Sequence, residues 1–512
     1  MSTTRVVAAV GWVLSIAPPV GADSTTLAGE GVVSVKSGIA QLFVDDLLID
    51  SQLDLRRTLH QPVKENGGRT PLIVANKGDA LLAYGTIVFD SRLKQYVMLV
   101  QDFNSRRMLR ATSSDALSWS ARTHDELTPL KLDLDLGPLP KDAKGKFGID
   151  VFSCFYDVKD EKHPYKGWVW IANAGHEWEG IWYVRSADGL VWERPGQICS
   201  GFAQPGDTSC RTIIQEGRMV YGPGDVTLFC HDPIENRFLG IFKFFNPHDV
   251  SPGYGSRARA YVWLDRMDEP FDSRRITHVE LMPAMAERNG DTPYDEYYAS
   301  TAWRYESVYL GGLKVFHGKG DYPFSAAGCA FLKLVVSRDG LHWRKVPFAN
   351  DGGIPEVWLA NGVEGGNEAL NDGGYISEFS QGPLRIGDEL VYYFSASSWG
   401  KNQPRDRLVR GGGIFRARLR VDGFVSVDWG TLTTRPLRIE GERLYVNSIG
   451  PMTVQLLDRL GNPLAATVLN GDSLRHEVQF GDHGLRQWAP DGVLRLRFTV
   501  EPPGRLYSFT VR

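Results

Sequence analysis

The sequence predicts an all-β protein, a five-bladed β-propeller followed by a small C-terminal β-sandwich. Three observations lead to this fold class. A short turn with a central acid recurs five times at intervals of 71 to 83 residues. Strand-like periodicity extends from about residue 40 to 430 with no long amphipathic helix, and the last stretch has alternating strands without the turn. A repeat of this length fits a four-stranded blade with long loops.

The recurring turn is clearest at residues 113–119, 186–192 and 337–343, which follow the pattern Ser-x-Asp-Gly/Ala-x-x-Trp. Weaker copies at Asp268 and Asp422 keep the acid and replace Trp by Phe. If the strands of each blade are named A to D from the axis outward, this turn joins C to D. It then lies on the face opposite the starts of the A strands, so we interpret it as architectural.

The repeat divides the chain into four regions. Residues 1–22 read as a signal peptide, because Arg5 precedes an apolar run that ends at the small residue Ala22. Residues 23–40 are predicted to be a flexible segment, residues 41–436 the propeller, and residues 437–512 the sandwich. The segment 41–50 is a candidate for the strand that closes the ring. A signal peptide predicts a secreted or periplasmic protein.

Composition narrows the class of partner. The net charge is −4 and the chain has no long basic run, which argues against nucleic-acid or anionic-membrane binding. No segment after the signal reaches the roughly 18 apolar residues that span a bilayer. Aromatic residues make up 11% of the chain, which suits a carbohydrate-binding surface and equally suits a large β core. Composition therefore favours a neutral or weakly charged ligand, with a carbohydrate among the candidates, and leaves the oligomeric state open.

The cysteines and histidines predict neither a zinc site nor a cofactor. The chain has no CxxC and no HExxH, and a central structural cation remains the one alternative. An odd number of cysteines leaves at least one thiol unpaired. Cys199 and Cys210 are spaced to close a short loop, whereas Cys154 and Cys230 lie inside predicted strands and are expected to be buried thiols.

Acids at the starts of the A strands are the candidate catalytic residues. Asp150 and Asp225 each stand seven residues before a hairpin acid, and Glu296 stands seven before Trp303. Blade five offers Asp372, or Glu378 if its strand starts later, and blade one offers Asp79. Crowded carboxylates shift one another's pKa, so an acid and a base can coexist at neutral pH, as glycoside cleavage requires. Alternatively, such acids cap turns or bind a central cation.

Loops between strands B and C lie on the same face and supply candidate substrate-binding residues. Trp178 and Trp399 are plausible platforms for a sugar face. Glu306 is a further candidate acid. The remaining polar candidates are Asp102 with Arg106 and Arg107, His176, Glu177 and Glu179, His248 and Asp249, His317 with Asp321, and Arg405.

The motifs LFVDDLLI, RRTLHQP, YGTIVFD and VDGFVSVDWG, together with the three clear turns, resemble a known family. It comprises secreted five-bladed propeller proteins related to the invertase and arabinanase/xylosidase glycoside hydrolases, families 32 and 43. The stretches LLDRLGNPL and VLRLRFTV resemble the sandwich that accompanies such propellers. The resemblance covers residues 41–512. The invertase signature Trp-x-Asn-Asp-Pro-Asn-Gly and the Glu-Cys pair are absent, so fructoside cleavage is not implied.

The resemblance implies a glycoside hydrolase with three carboxylates at the inner strand starts. Asp150 would act as base or nucleophile, Asp225 as the orienting acid and Glu296 as the proton donor. Two other functions stay open. One is a non-catalytic carbohydrate-binding propeller. The other is a sialidase-like enzyme, which would need three arginines meeting on the axial face to hold a carboxylate.

Overall fold

The residues that the structure describes form six β-sheets, five of four to six strands and one of eleven. The computed structural model describes residues 31–76, 79–132, 141–143, 147–201, 211–247, 255–283, 295–318, 328–365, 371–400 and 412–512. Within these ranges no helix is long and apolar enough to cross a membrane. The helical segments there are the 3-10 turns Glu65–Gly68, His124–Glu126 and Ser273–Arg275 and the α-helix α1 (Leu485–Trp488).

The N-terminal strands contribute to two different parts of the molecule. They are β1 (Val33–Val35), β2 (Gln41–Leu42), β3 (Ile49–Leu59), β4 (Val63–Lys64) and β5 (Ile73–Val74). The first three join the eleven-stranded sheet, and the last two join the sheet of blade five.

Blade one is a four-stranded antiparallel sheet whose order from the axis outward follows the chain. Its strands are β6 (Leu81–Asp90), β7 (Gln95–Asp102), β8 (Arg107–Ser113) and β9 (Thr128–Pro129). Asp90 closes the first hairpin by accepting the backbone N–H groups of Arg92 and Leu93. It also accepts the phenol O–H of Tyr165 in blade two at 2.6 Å, so the same buried acid ties the two blades together.

Blades two and three repeat this plan with additions. Blade two consists of β10 (Lys131–Leu132), β11 (Gly148–Tyr156), β12 (Tyr165–Ala172), β13 (Gly180–Ser186) and β14 (Val191–Ser200). Blade three consists of β15 (Arg211–Gln215), β16 (Arg218–Gly222), β17 (Leu228–Asp232), β18 (Arg237–Pro247) and β19 (Gly255–Leu264). The β15–β16 hairpin pairs with the part of β18 that extends past the first residue of β17, through Tyr221 and Phe245. It therefore extends blade three on the face where β17 begins.

Blades four and five complete the ring. Blade four consists of β20 (Asp295–Ser300), β21 (Trp303–Tyr305), β22 (Val308–Gly318), β23 (Gly328–Ser337), β24 (Trp343–Lys345) and β25 (Val357–Leu359). Blade five consists of β26 (Tyr375–Phe379), β27 (Leu384–Ile386), β28 (Glu389–Ser397) and β29 (Gly412–Arg420), with β4 and β5 along β29. Because β4 and β5 come from the N-terminal side of blade one, they close the ring.

The C-terminal sandwich is built around an apolar core of its own. Its strands are β30 (Val425–Thr434), β31 (Leu437–Ile439), β32 (Leu444–Ile449), β33 (Met452–Leu457), β34 (Pro463–Leu469), β35 (Asp472–Val478), β36 (Val493–Val500) and β37 (Arg505–Val511). The fold is thus a five-bladed propeller followed by a β-sandwich, as the sequence predicts.

The domain boundaries differ from the sequence prediction at both ends of the propeller. Strand β2 pairs with β37 and β3 pairs with β30, so the segment 41–50 belongs to the sandwich and does not close the ring. The reason is packing, since Phe43 contacts Phe498 and Phe509 at centroid distances of 6.0 and 6.1 Å in the sandwich core. Strand β30, expected in the propeller, likewise lies in the eleven-stranded sheet.

The recurring turns are held by local hydrogen bonds. Asp188 accepts the N–H groups two and three residues later, and Asp115 and Asp339 do the same in their copies. Such an Asx arrangement needs only the turn's own residues, which explains why the motif is readable in the sequence. The turn tryptophan then packs on aromatic side chains, as Trp119 does on Tyr393 of blade five.

Candidate active site

A cavity of about 210 Å³ lies where the five blades meet. Its walls are built mainly from the beginnings of the innermost strands and the loops beside them. All five blades contribute, with Ala80, Leu82, Tyr84, Phe103 and Arg106 from blade one, Asp150 from blade two, Asp225 and Val226 from blade three, Tyr298 from blade four, and Tyr375, Ser377, Glu378 and Ser397 from blade five. We call this the axial cavity.

A larger cavity of about 570 Å³ lies beside it, between blades two and three. Its walls include Trp170, Glu179, Arg211, Tyr221 and Phe245. We call this the outer cavity. The two cavities share three lining residues, Arg106, Asp150 and Asp225. Two predicted catalytic acids therefore stand where the cavities join.

A β-bulge positions Asp150. The pairing of β11 with β12 shifts between Ile149 and Val151, which leaves Asp150 outside the regular ladder. Its carboxylate is 21% exposed and lies 3.5 Å from the Arg106 guanidinium. Gly148 leaves room for this pair, since a Cβ there would lie 2.6 Å from the Cβ of Arg106.

Asp225 lies in the loop between β16 and β17 and forms an ion pair with Lys243. The aspartate side chain is 35% exposed, whereas the lysine is 2% exposed. The Lys243 ammonium also lies 4.5 Å from the centroid of the Phe245 ring, a cation–π contact. A Cβ at Gly224 would lie 2.6 Å from the lysine Cε, so the glycine makes space for the lysine.

Glu378 and Glu296 are buried acids on blades five and four. Glu378 lines the axial cavity and accepts a hydrogen bond from Lys314 at 2.6 Å. Glu296 forms an ion pair with Arg257 and is not among the residues that line either cavity. The inner strands of both blades carry bulges, at Tyr298 and at Ser377, whereas both acids keep a place in the regular ladder. The bulged residues line the axial cavity, as Asp150 does in blade two.

One cluster in the described parts of the chain has the donor set of a cation site. Asp79, Asp102 and His124 each offer a ligand atom, and these atoms lie within 4.8 Å of one another. Burial and a hydrogen bond with Asp102 raise the pKa of Asp79 to about 6. Burial opposes the shift at Asp102, but hydrogen bonds with Asp79, Ser105 and His124 lower the pKa of that carboxyl to about 2. The hydrogen bond between the two carboxyls therefore moves their pKa values in opposite directions.

Of the loop candidates of blade two, Glu179 lines the outer cavity, whereas His176, Glu177 and Trp178 lie outside both cavities. His176 is exposed and hydrogen-bonds Asp142 at 2.9 Å, and Glu177 is exposed beside it. Trp178 stacks on Trp182 at a centroid distance of 5.7 Å. It therefore takes part in the packing of the blade and does not line the axial or the outer cavity.

The further candidate acids of blades four and five, Glu306 and Asp372, also lie outside the two cavities. Glu306 accepts the backbone N–H of Ala40 at 2.9 Å, which places it beside the sandwich. Asp372 is buried against Lys64, with an oxygen 2.5 Å from the ammonium. These two acids are absent from the walls of the axial and outer cavities.

The remaining candidates fall into two groups. His317 hydrogen-bonds Asp295 at 2.8 Å, which raises the pKa of the imidazole, and Trp399 packs on Gly365. Neither side chain lines a cavity. His248 and Asp249 lie outside the described residues, as do Cys210 and the segment 1–22 that the sequence predicts to be a signal peptide. Arg106 is the one arginine among the described residues of the axial cavity wall, so the three-arginine arrangement of a sialidase is not present there.

Several residues at the cavities are not predicted from the sequence. Lys243 and Lys314 occupy the middle of apolar B strands, FLGIFKFF and VYLGGLKVF, where a lone charge is unusual. That position was a readable signal for a buried ion pair. Tyr221, Phe245 and Trp170 had no such signal, because the sequence is rich in aromatic residues that pack in the core.

Comparison with known proteins gives distant structural neighbours only. No family model matches the chain. No curated protein matches it either.

Three solved structures illustrate the likeness. One is a glycoside hydrolase of the GH130 family of mannoside phosphorylases that targets β-1,2 mannosidic linkages in Candida mannan. Its sequence identity is 11% and the TM-score is 0.39, and the match covers 73% of this chain and 96% of that one. A GH43 arabinoxylan arabinofuranohydrolase from Bacillus subtilis has 11% identity, a TM-score of 0.36 and coverage of 88% and 99%. A family 117 glycoside hydrolase from Zobellia galactanivorans has 10% identity, a TM-score of 0.31 and coverage of 71% and 89%.

Proposed function

We propose that the protein is a glycoside hydrolase whose active site is centred on the carboxylates of Asp150 and Asp225. The observation that supports this most is their position at the junction of the axial and outer cavities. A sugar unit in the axial cavity and the rest of the glycan in the outer cavity would place the scissile bond beside both acids. Paired carboxylates across a glycosidic bond are what its hydrolysis requires.

The roles follow from what each acid can reach. Asp150 would attack the anomeric carbon or activate water, and Asp225, held by Lys243, would orient the sugar. The proton donor must face the leaving oxygen on the outer-cavity side. Glu179 lines that cavity, whereas Glu296 is buried against Arg257. We therefore propose Glu179 as the donor, in place of Glu296.

The test compares variants of the two cavity acids with a variant of Asp157, an acid at the opposite end of the strand that carries Asp150. Asp150→Asn and Asp225→Asn should each lower the release of reducing ends from neutral polysaccharides by about 100-fold or more, because the first variant loses the nucleophile or base and the second loses the carboxylate that orients the sugar. Asp157→Asn is the matched control, since Asp157 follows the far end of β11 and pairs with Lys166. The control should keep activity within about twofold. Full activity in both cavity variants would refute the site.

A second function, carbohydrate binding without cleavage, is favoured by one observation. Each of the acids at the axis has a basic partner, with Arg106 beside Asp150 and Lys314 beside Glu378 as examples. Ion-pair networks of this kind also serve purely structural ends. Affinity for an oligosaccharide that stays intact over days would identify this function.

We further propose that the protein is exported, on the strength of the apolar N-terminal run ending at Ala22. N-terminal sequencing of the protein recovered outside the cytoplasm should then begin at Asp23. A mature protein that begins at Met1 would contradict export by this signal.

A further inference from the structure

The β15–β16 hairpin presents an apolar face to solvent. Ile214 is 71% exposed, Met219 50% and Tyr221 42%. The register pairs Ile214 with Met219 and Thr212 with Tyr221, so these four side chains lie on the same face of the hairpin. Contiguous exposed apolar side chains of this kind are typical of an interaction surface. We call Thr212, Ile214, Met219 and Tyr221 the hairpin face.

The hairpin face continues into the outer cavity. Thr212 and Tyr221 belong to both, and Tyr221 stacks on Phe245 with centroids 5.3 Å apart and rings 21° from parallel. Phe245 in turn contacts the ammonium of Lys243, which pairs with Asp225. A continuous track of apolar and aromatic groups therefore runs from the candidate carboxylate to the outer end of the hairpin.

Charged side chains at the hairpin are already engaged. Arg218 hydrogen-bonds Glu216 at 2.9 Å and the carbonyl of Pro283 at 3.1 Å. Arg211 donates to the carbonyl of Arg274 at 2.8 Å. The face thus offers apolar surface and hydroxyl groups, which suits the C–H faces and hydroxyls of a neutral sugar better than a polyanion.

We propose that the hairpin face binds the continuing chain of a neutral, polymeric glycan whose end unit occupies the axial cavity. This inference rests on the proposed glycosidase site, and it adds the substrate class, a chain of several neutral units. Residues 219 and 221 lie about 7 Å apart along β16, so the face extends the cavity by further sugar units. Binding along it would make the enzyme prefer polymers to short oligosaccharides.

The test measures retention on polysaccharide. Native gels containing galactomannan, arabinoxylan, arabinan or galactan are run with the Asp150→Asn protein, which should bind without cleaving. At least one polymer should retard it. Adding Ile214→Ser and Met219→Ser should weaken that retardation at least about fivefold in Kd. Val468→Ser, at a side chain 71% exposed on the sandwich, is the matched control and should change nothing.

A kinetic readout separates this inference from the proposed function. With Asp150 intact, the double serine variant should lower kcat/KM on the polymer at least about fivefold more than on its trisaccharide. If the polymer is cleaved but the ratio of kcat/KM on polymer to kcat/KM on trisaccharide is unchanged, the hairpin face does not bind the glycan chain, and the proposed glycosidase function is unaffected. If no polymer is bound or cleaved, both the inference about the hairpin face and the proposed glycosidase function are contradicted. If the double variant only converts a dimer into a monomer in size-exclusion chromatography, the face is a self-association surface and the inference is overturned.

Discussion

Single residues at the axis differ in how far their charge is shielded from water. Glu378 is 4% exposed and its partner Lys314 is 2% exposed, so both ions depend on each other. Asp225 is 35% exposed, so water can solvate it when Lys243 is absent. Loss of one partner is costly only where the remaining charge stays buried.

This contrast predicts different stabilities for two similar variants. Lys314→Met should lower the free energy of unfolding by about 3 kcal/mol, because the buried charge of Glu378 loses its ion pair with the ammonium. Lys243→Met should change it by no more than about 1 kcal/mol, because Asp225 faces solvent. Urea denaturation of both variants at pH 7 measures the difference. Equal losses would show that exposure does not govern these pairs.

Glu306 is a residue whose charge opposes folding. Burial raises the pKa of this carboxyl above its usual value, with the Ala40 N–H opposing the shift. An acid with a raised pKa in the folded state favours folding while protonated, and that contribution is lost as pH rises through the folded pKa.

Glu306→Gln should therefore be more stable than the wild type at pH 8 and indistinguishable from it at pH 4. The amide oxygen can still accept from Ala40, so the hydrogen bond is kept. Thermal unfolding at the two pH values checks this. A variant that is less stable at pH 8, or that has lost hydrolysis, would give Glu306 a role other than packing beside the sandwich.

At the scale of single elements, the recurring turn is a local structure. The Ser186 hydroxyl lies 3.1 Å from the Asp188 carboxylate and 2.5 Å from the Val191 carbonyl, shares its one proton between them, and accepts the N–H of Gly189. Ser186 is 1% exposed and Gly189 is buried, so the Gly189 N–H has no ready substitute for this acceptor.

Ser186→Ala should lower the free energy of unfolding by about 1 to 2 kcal/mol, because the buried N–H of Gly189 loses its acceptor. Ser51→Ala, at an exposed position of β3, is the matched control and should have no measurable effect. Chemical denaturation of the two variants tests this. A neutral Ser186→Ala variant would mean that the turn does not stabilise the blade.

The same locality explains which elements the sequence could predict. The turns and hairpin acids are visible because their partners lie within a few residues, and they count the blades correctly. Ring closure was not visible, because β4 and β5 are two residues each and pair with β29 more than 300 positions away in the chain. The segment 41–50 reads as a strand, and only the tertiary contacts of Phe43 assign it to the sandwich.

On the scale of the whole molecule, the propeller brings together residues that are distant in the chain. Register from the hairpin acids led to Asp150 and Asp225, and these two acids line both cavities. The same register did not foresee the basic partners, because those come from B and C strands of the same or neighbouring blades. The outer cavity was equally hidden, since it depends on the β15–β16 hairpin, which the repeat does not include.

The most direct measurement of the central claim is a crystal structure of the Asp225→Asn variant with an oligosaccharide from a polysaccharide that the wild type cleaves. We expect one sugar ring in the axial cavity, with the Asp150 carboxylate within about 3.5 Å of its anomeric carbon. The rest of the chain should lie in the outer cavity towards Tyr221. An oligosaccharide bound only elsewhere, with both cavities filled by solvent, would contradict the assignment of the active site.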